Sequence, residues 1–153
     1  MNASWHLIGR LQTNKVRFIE GRFTMVQSID RPAVVDALER RLQQPLDVLL
    51  EVNVAGEEQK TGAMLPDVAA IVEAIEQASR LRLQGFMTIA PLAPNPESVR
   101  PVFRRLRELH DDTRERLGKP LPVLSMGMTD DYPVAVEEGS TMLRLGRALF
   151  GQR

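Results

Sequence analysis

Short apolar runs alternate along the chain with longer segments whose apolar residues recur every three or four positions. The run at residues 47–54, DVLLEVNV, is almost continuously apolar, as expected for a strand that is covered on both faces of a parallel sheet. The segments that follow such runs have the spacing of amphipathic helices. This alternation of strand and helix predicts an α/β fold built from parallel β-α units.

Six strands and the helices between them are expected. The predicted strands are residues 5–9, 25–29, 47–54, 81–89, 122–126 and 141–146. A short helix is expected over residues 11–20, and another over residues 132–138. Asp30 is expected to cap the helix after the second strand, with Pro32 at its first position, where a missing N–H costs least.

Two architectures fit six parallel β-α units. A complete (β/α)8 barrel has eight strands and typically about 250 residues, so this chain of 153 residues would supply only its last six units. An open doubly wound sheet would need no further unit, but no GxGxxG follows the first predicted strand. The alternation of elements alone does not choose between the two.

Composition argues against several functional classes. Twenty basic and 20 acidic residues cancel, so the chain lacks the broad positive field that binds nucleic acid, and we expect no such partner. No apolar run approaches the roughly 20 residues of a membrane span, and we expect no membrane partner. With no cysteine and two separated histidines, we expect no metal site and a cytoplasmic location. We also expect a monomer if the protein is complete.

The turn SMGMTDDYP, residues 125–133, is a candidate anion site. Barrel enzymes often bind phosphate with the loops after the last two strands. The residues suited to this task are glycines, a hydroxyl and two arginines, namely Gly127, Gly146, Thr129, Arg144 and Arg147.

A helix cap, two ordinary turns and solvated arginines would explain the same residues. Asp130 and Asp131 would repel a phosphate unless their side chains point away. The turn therefore leaves both interpretations open.

Five motifs in order extend over nearly the whole chain: IGRLQTNK, VNVAGEEQKTG, GFMTIAP, LSMGMTDD and EGSTMLRLGRALFG. In these motifs the chain resembles the pyridoxal phosphate homeostasis protein family, the YggS-like proteins. That family is similar in fold to the N-terminal barrel of bacterial alanine racemase, binds pyridoxal 5′-phosphate (PLP) and lacks the racemase's second domain. The resemblance implies a partial (β/α)8 TIM barrel in one domain, residues 1–153, with a role in vitamin B6 and amino-acid homeostasis and no catalytic turnover.

The resemblance also implies which residues hold PLP. Those around the phosphate would be Ser125, Gly127, Met128 and Thr129, with Gly146 and Arg147 on the other side. Arg144 would face the pyridine nitrogen, and Met87 of GFMTIAP is a further candidate contact. An arginine cannot accept a proton, so it would keep the ring nitrogen unprotonated and weaken the electron sink that carbanion chemistry needs.

In the family, the lysine that bonds to PLP lies in a segment that would precede WHLIG, and this chain has no such segment. None of Lys15, Lys60 and Lys119 interrupts an apolar strand. Lys60 follows a strand at the end where barrel active sites lie, but Glu57 and Glu58 favour its charged form. We therefore expect non-covalent PLP binding at best. Two alternatives stay open, a racemase-like enzyme and a truncated fragment that binds no ligand.

Overall fold

A single parallel sheet lies at the centre of the computed structural model, which describes residues 3–151. Its six strands are β1 (His6–Leu7), β2 (Met25–Ile29), β3 (Leu46–Glu51), β4 (Leu81–Met87), β5 (Val123–Met128) and β6 (Met142–Arg144). The strands lie in the sheet in the order of the chain, and every neighbouring pair is parallel. A doubly wound sheet would reverse its strand order at a switch point. The sequential order is that of a β-α barrel, so the prediction of a partial barrel is confirmed.

The helices follow the strands in turn. They are α1 (Pro32–Arg41), α2 (Val68–Gln77), α3 (Arg100–Leu117), α4 (Tyr132–Glu137) and α5 (Arg147–Phe150), with 3-10 turns at Thr13–Phe18, Leu65–Asp67 and Pro96–Val99. Pro32 begins α1 as predicted. The α-helix predicted over residues 11–20 is instead the six-residue 3-10 turn, in which only Val16 is buried. Across residues 3–151, none of the helices has both the length and the apolar character needed to cross a membrane.

Five of the six predicted strands have different bounds in the structure, and the predicted cap of α1 is also wrong. At the cap and at the end of β3, a polar side chain bonds to its local surroundings. Arg31, with extended backbone, is the N-cap residue of α1, while the Asp30 carboxylate pairs with Arg31 and with Arg10, whose Nε lies 3.5 Å away. The third strand ends at Glu51 because Asn53 Oδ1 accepts the N–H groups of the turn that follows, from Gly56 at 3.0 Å and residue 57 at 3.2 Å.

The two faces of the sheet differ in chemistry. The main hydrophobic core fills the space between one face and the helices, and it includes Val26, Ile29, Val48, Leu50, Phe86, Leu38, Ile71, Phe103 and Leu106. Burying each of these side chains contributes about 1.5–3 kcal/mol relative to exposure. The opposite face, called the inner face below, has a small apolar cluster of Met25, Leu49 and Met87. Its buried polar residues include Gln27, Glu51 and Ser125. The inner face is therefore where a polar ligand would find partners.

Candidate functional site

A half-buried arginine dominates the inner face. Arg144, at the end of β6, donates from Nη1 to the Ser125 hydroxyl and from Nη2 to the Thr88 carbonyl, both at 2.7 Å. Burial lowers the pKa of Arg144, and the nearby Asp131 and Glu51 carboxylates partly offset that effect. Because an arginine in a protein keeps its proton, this side chain is a permanent positive charge that can only donate hydrogen bonds.

Polar contacts continue from Arg144 across the sheet to β1. The Ser125 hydroxyl donates to Gln27 Oε1 at 2.7 Å. The amide nitrogen of Gln27 lies 3.0 Å from His6 Nδ1 and 3.2 Å from the Met142 sulfur. Sequence reasoning missed Gln27, although one amide in the apolar strand MVQSI was a usable signal.

Glu51 is a second functional candidate that sequence reasoning missed. Its side chain is buried at the end of β3, and one carboxylate oxygen, Oε1, accepts from the Thr61 hydroxyl at 2.6 Å. The other oxygen, Oε2, has no hydrogen-bond partner among residues 3–151. Desolvation raises the pKa of Glu51, and the Thr61 hydrogen bond opposes that shift. Glu51 pairs in register with Met87, and Met87 with Ser125, so the three lie in one row across the sheet.

The loops after β5 and β6 meet, as expected for a pair that binds one ligand. The Thr129 hydroxyl accepts the Ala148 N–H at 3.3 Å, and Arg147 pairs with Asp130 across the same gap. A Cβ added at Gly146 would meet nothing within 4 Å, and the φ of Gly146 is −112°. The backbone at Gly146 therefore borders open space that a ligand could fill.

The turn after β5 has a structural role of its own. Gly127 has φ of +96°, and a Cβ there would lie 2.7 Å from the Ala135 methyl and 2.9 Å from Leu143 Cδ2. Its small size is thus required by the packing of α4 and β6. The next N–H, of Met128, donates to Asp131 Oδ1 at 2.7 Å, so an anion at this turn would compete with a carboxylate for that donor.

The predicted site residues fall into two groups. Ser125, Arg144 and Met87 belong to the inner face, where Met87 is fully buried. The others border the meeting loops, and they are Gly127, Met128, Thr129, Gly146 and Arg147. Met128 and Arg147 line a groove of about 770 Å³ at this end of the sheet.

Each of the three lysines contacts a side chain that is not among the predicted site residues. Lys60 also lines the groove, and its Nζ lies 3.3 Å from the Glu57 carboxylate. Lys119 pairs with Glu76 at 2.5 Å, and Lys15 Nζ lies 5.8 Å from the centre of the Phe18 ring.

Comparison with known proteins identifies the family. Residues 3–153 match the alanine racemase N-terminal domain family. The pyridoxal phosphate homeostasis protein of Aquifex aeolicus is 44% identical over 156 residues, covering 100% of this chain and 68% of that protein. The corresponding Pseudomonas aeruginosa protein is 42% identical, covering 98% of this chain and 65% of its own length. The chain thus spans about two thirds of the length of the curated relatives it matches.

A solved structure agrees in fold and in sequence. PipY of Synechococcus elongatus, solved with PLP bound, superposes with a TM-score of 0.86 at 31% identity, over 97% of this chain and 70% of PipY. The matching family, the relatives at 44% and 42% identity and the shared barrel strand order lead to one conclusion. The chain belongs to the pyridoxal phosphate homeostasis protein family.

Proposed function

We propose that this chain binds PLP and takes part in vitamin B6 and amino-acid homeostasis. The observation that carries the proposal is the contact of Arg144 with the buried Ser125 beside the meeting loops after β5 and β6, in a chain whose relative PipY has been solved with PLP bound. Arg144 would place a permanent positive charge near the pyridine ring of PLP, and the backbone at Gly146 would leave room for the phosphate.

The residues fit PLP in chemical type. The phosphate would lie against the two loops, near Thr129, Gly146 and Arg147, where added bulk at Gly146 would meet nothing. Arg147 would exchange its Asp130 partner for the phosphate, and Met128 would release its N–H from Asp131. The ring would lie towards Arg144. The Ser125 hydroxyl, which accepts from Arg144 and donates to Gln27, would hold the arginine in place.

We further propose that the chain holds PLP without catalysing a reaction. Bound PLP supplies an electron sink whose strength depends on a protonated ring nitrogen. Arg144 can donate to that nitrogen but cannot protonate it as an acid would, because its guanidinium does not give up its proton. The same argument makes amino-acid racemisation a poor fit for this site.

Within this chain we propose that binding is non-covalent. Lys60 lines the groove, but its Nζ lies 3.3 Å from the Glu57 carboxylate, and a lysine held in an ion pair is a poor nucleophile. Lys119 is tied to Glu76, and Lys15 lies beside Phe18.

The test combines absorbance, chemical reduction and mass measurement. The chain is titrated with PLP, binding is read from the cofactor's absorbance, and borohydride reduction is followed by the mass of the intact chain. We expect saturable binding that Arg144→Met weakens at least tenfold, with no pyridoxyl adduct at one lysine. Arg116→Met, on the helix α3, is the control and should bind normally.

Three results would each contradict part of the proposal. A stoichiometric adduct on a single lysine would overturn non-covalent binding. Absence of any saturable change in absorbance would favour a fragment that binds no ligand. A racemisation assay with the PLP-loaded chain checks the non-catalytic claim, since measurable turnover would support a racemase-like enzyme.

A further inference from the structure

We propose that Gln27 fixes the tautomer of His6, on the neighbouring strand β1, and that His6 is a ligand-binding donor on the inner face. The contacts behind this proposal form a chain of three hydrogen bonds, from Arg144 to Ser125, from Ser125 to Gln27 and from Gln27 to His6. The ligand contact rests on the proposed PLP function, whereas the control of His6 does not.

The Gln27 amide has one orientation that suits its neighbours at both ends. The Ser125 oxygen accepts from the Arg144 guanidinium, and the Ser125 hydroxyl donates to Gln27 Oε1, 2.7 Å away. With its oxygen facing Ser125, the Gln27 amide turns its nitrogen towards β1. The two hydrogens on that nitrogen have two acceptors, His6 Nδ1 at 3.0 Å and the Met142 sulfur at 3.2 Å. The orientation of the amide is therefore fixed at both ends.

His6 must present a hydrogen-bond acceptor to the Gln27 amide nitrogen. Because an amide nitrogen can only donate, Nδ1 of His6 must accept from it, and the proposed tautomer carries its proton on Nε2. A doubly protonated ring would set two donors against each other at 3.0 Å. Among residues 3–151 no hydrogen bond uses His6 Nε2, and the side chain is half-buried on β1. The Nε2–H group is thus a prepared donor for an oxygen on a ligand at the inner face.

The first test is the tautomer of His6 in the chain without ligand. The protein has two histidines, so nitrogen-15 NMR resolves both, and a ring nitrogen without a proton resonates far downfield of one that has it. His110 is the internal control, because its Nε2 lies 2.7 Å from the Leu121 carbonyl and must carry a proton. We expect His6 to be the Nε2–H tautomer, without a proton on Nδ1, and His110 to show a protonated Nε2.

The decisive variant is Gln27→Glu, which keeps the shape of the side chain and replaces the donor at His6 with an acceptor. We expect a proton to move onto His6 Nδ1, while His110 is unchanged. Ser125→Ala, which breaks the chain one bond earlier, should give His6 a mixture of tautomers. A wild-type His6 with its proton on Nδ1, or a His6 spectrum that Gln27→Glu leaves unchanged, would refute the control of His6 by Gln27.

Binding of PLP tests the ligand contact separately. His6→Phe removes the donor and should weaken PLP binding about tenfold, the loss of roughly one hydrogen bond. His6→Gln, which places an N–H near the position of Nε2, should keep binding within about threefold of wild type. Equal binding by wild type and His6→Phe would exclude the contact. If the wild-type chain shows the expected tautomer and does not bind PLP, the proposed function fails together with the ligand contact, and the control of His6 stands.

Discussion

Replacing Gly127 by alanine separates the packing role of the turn after β5 from its proposed ligand role. The added methyl would lie 2.7 Å from Ala135 Cβ and 2.9 Å from Leu143 Cδ2, where carbon atoms normally rest about 3.5–4.0 Å apart. Relieving this overlap should cost about 1–3 kcal/mol, as for other overpacked sites. A φ of +96° adds about 1–2 kcal/mol for a residue with a Cβ. We therefore expect Gly127→Ala to lower the free energy of unfolding by about 2–5 kcal/mol.

Urea unfolding without ligand measures this loss, and Gly146→Ala is the matched control. At a mid-range slope of about 2 kcal/mol per molar urea, the midpoint for Gly127→Ala should fall by roughly 1–2.5 M. Gly146 has φ of −112° and open space around its Cβ position, so its alanine variant should stay within about 0.5 kcal/mol of wild type. If Gly127→Ala unfolds at the wild-type midpoint and only loses PLP binding, the packing explanation is wrong.

Two buried carboxylates should give opposite dependences of stability on pH. The pKa of Glu51 is raised by desolvation, so the stability of wild type relative to Glu51→Gln should be greatest below about pH 4.5 and decline as the pH rises; a flat difference in urea titrations would contradict this. The pKa of Glu138 is lowered, first by the hydrogen bond from Arg104 and also by that from Arg100. Glu138→Gln should cost about 1–2 kcal/mol at pH 7, a cost that shrinks as the pH falls below about 4.5, and a cost that persisted in acid would count against the charge interaction.

The alternation of elements was readable from the sequence because each β-α unit buries residues of its own. Apolar runs such as residues 25–29 and 47–51 are strands, and Pro32 begins a helix where its missing N–H costs least. The order of the strands could not be read in this way, since the doubly wound sheet and the barrel share the same local patterns. Deciding between them required either the family motifs or the pairing of strands in space.

The polar contacts of the inner face were less predictable. Gln27 and Glu51 are polar residues within mostly apolar runs, and the sequence does not say which face of the strand they occupy. Gln27 bonds to Ser125, 98 positions later in the chain, and a partner at that separation leaves no local pattern. Arg144 and Ser125 were found by motif, but their contact with each other was not anticipated. Local rules also misassigned Asp30, because ion pairs with Arg10 and Arg31 outcompeted the cap.

The sequential strand order also determines how the molecule opens. Each strand pairs only with its neighbours in the chain, and the edge strands β1 and β6 have two and three residues. Detaching either edge breaks few backbone hydrogen bonds and leaves the paired strands β3 and β4 intact. Partial unfolding is therefore graded from the edges inwards. His6 and Arg144, the two ends of the polar chain across the inner face, lie on the strands expected to open first. A ligand that contacts both would therefore stabilise the edge strands against local unfolding.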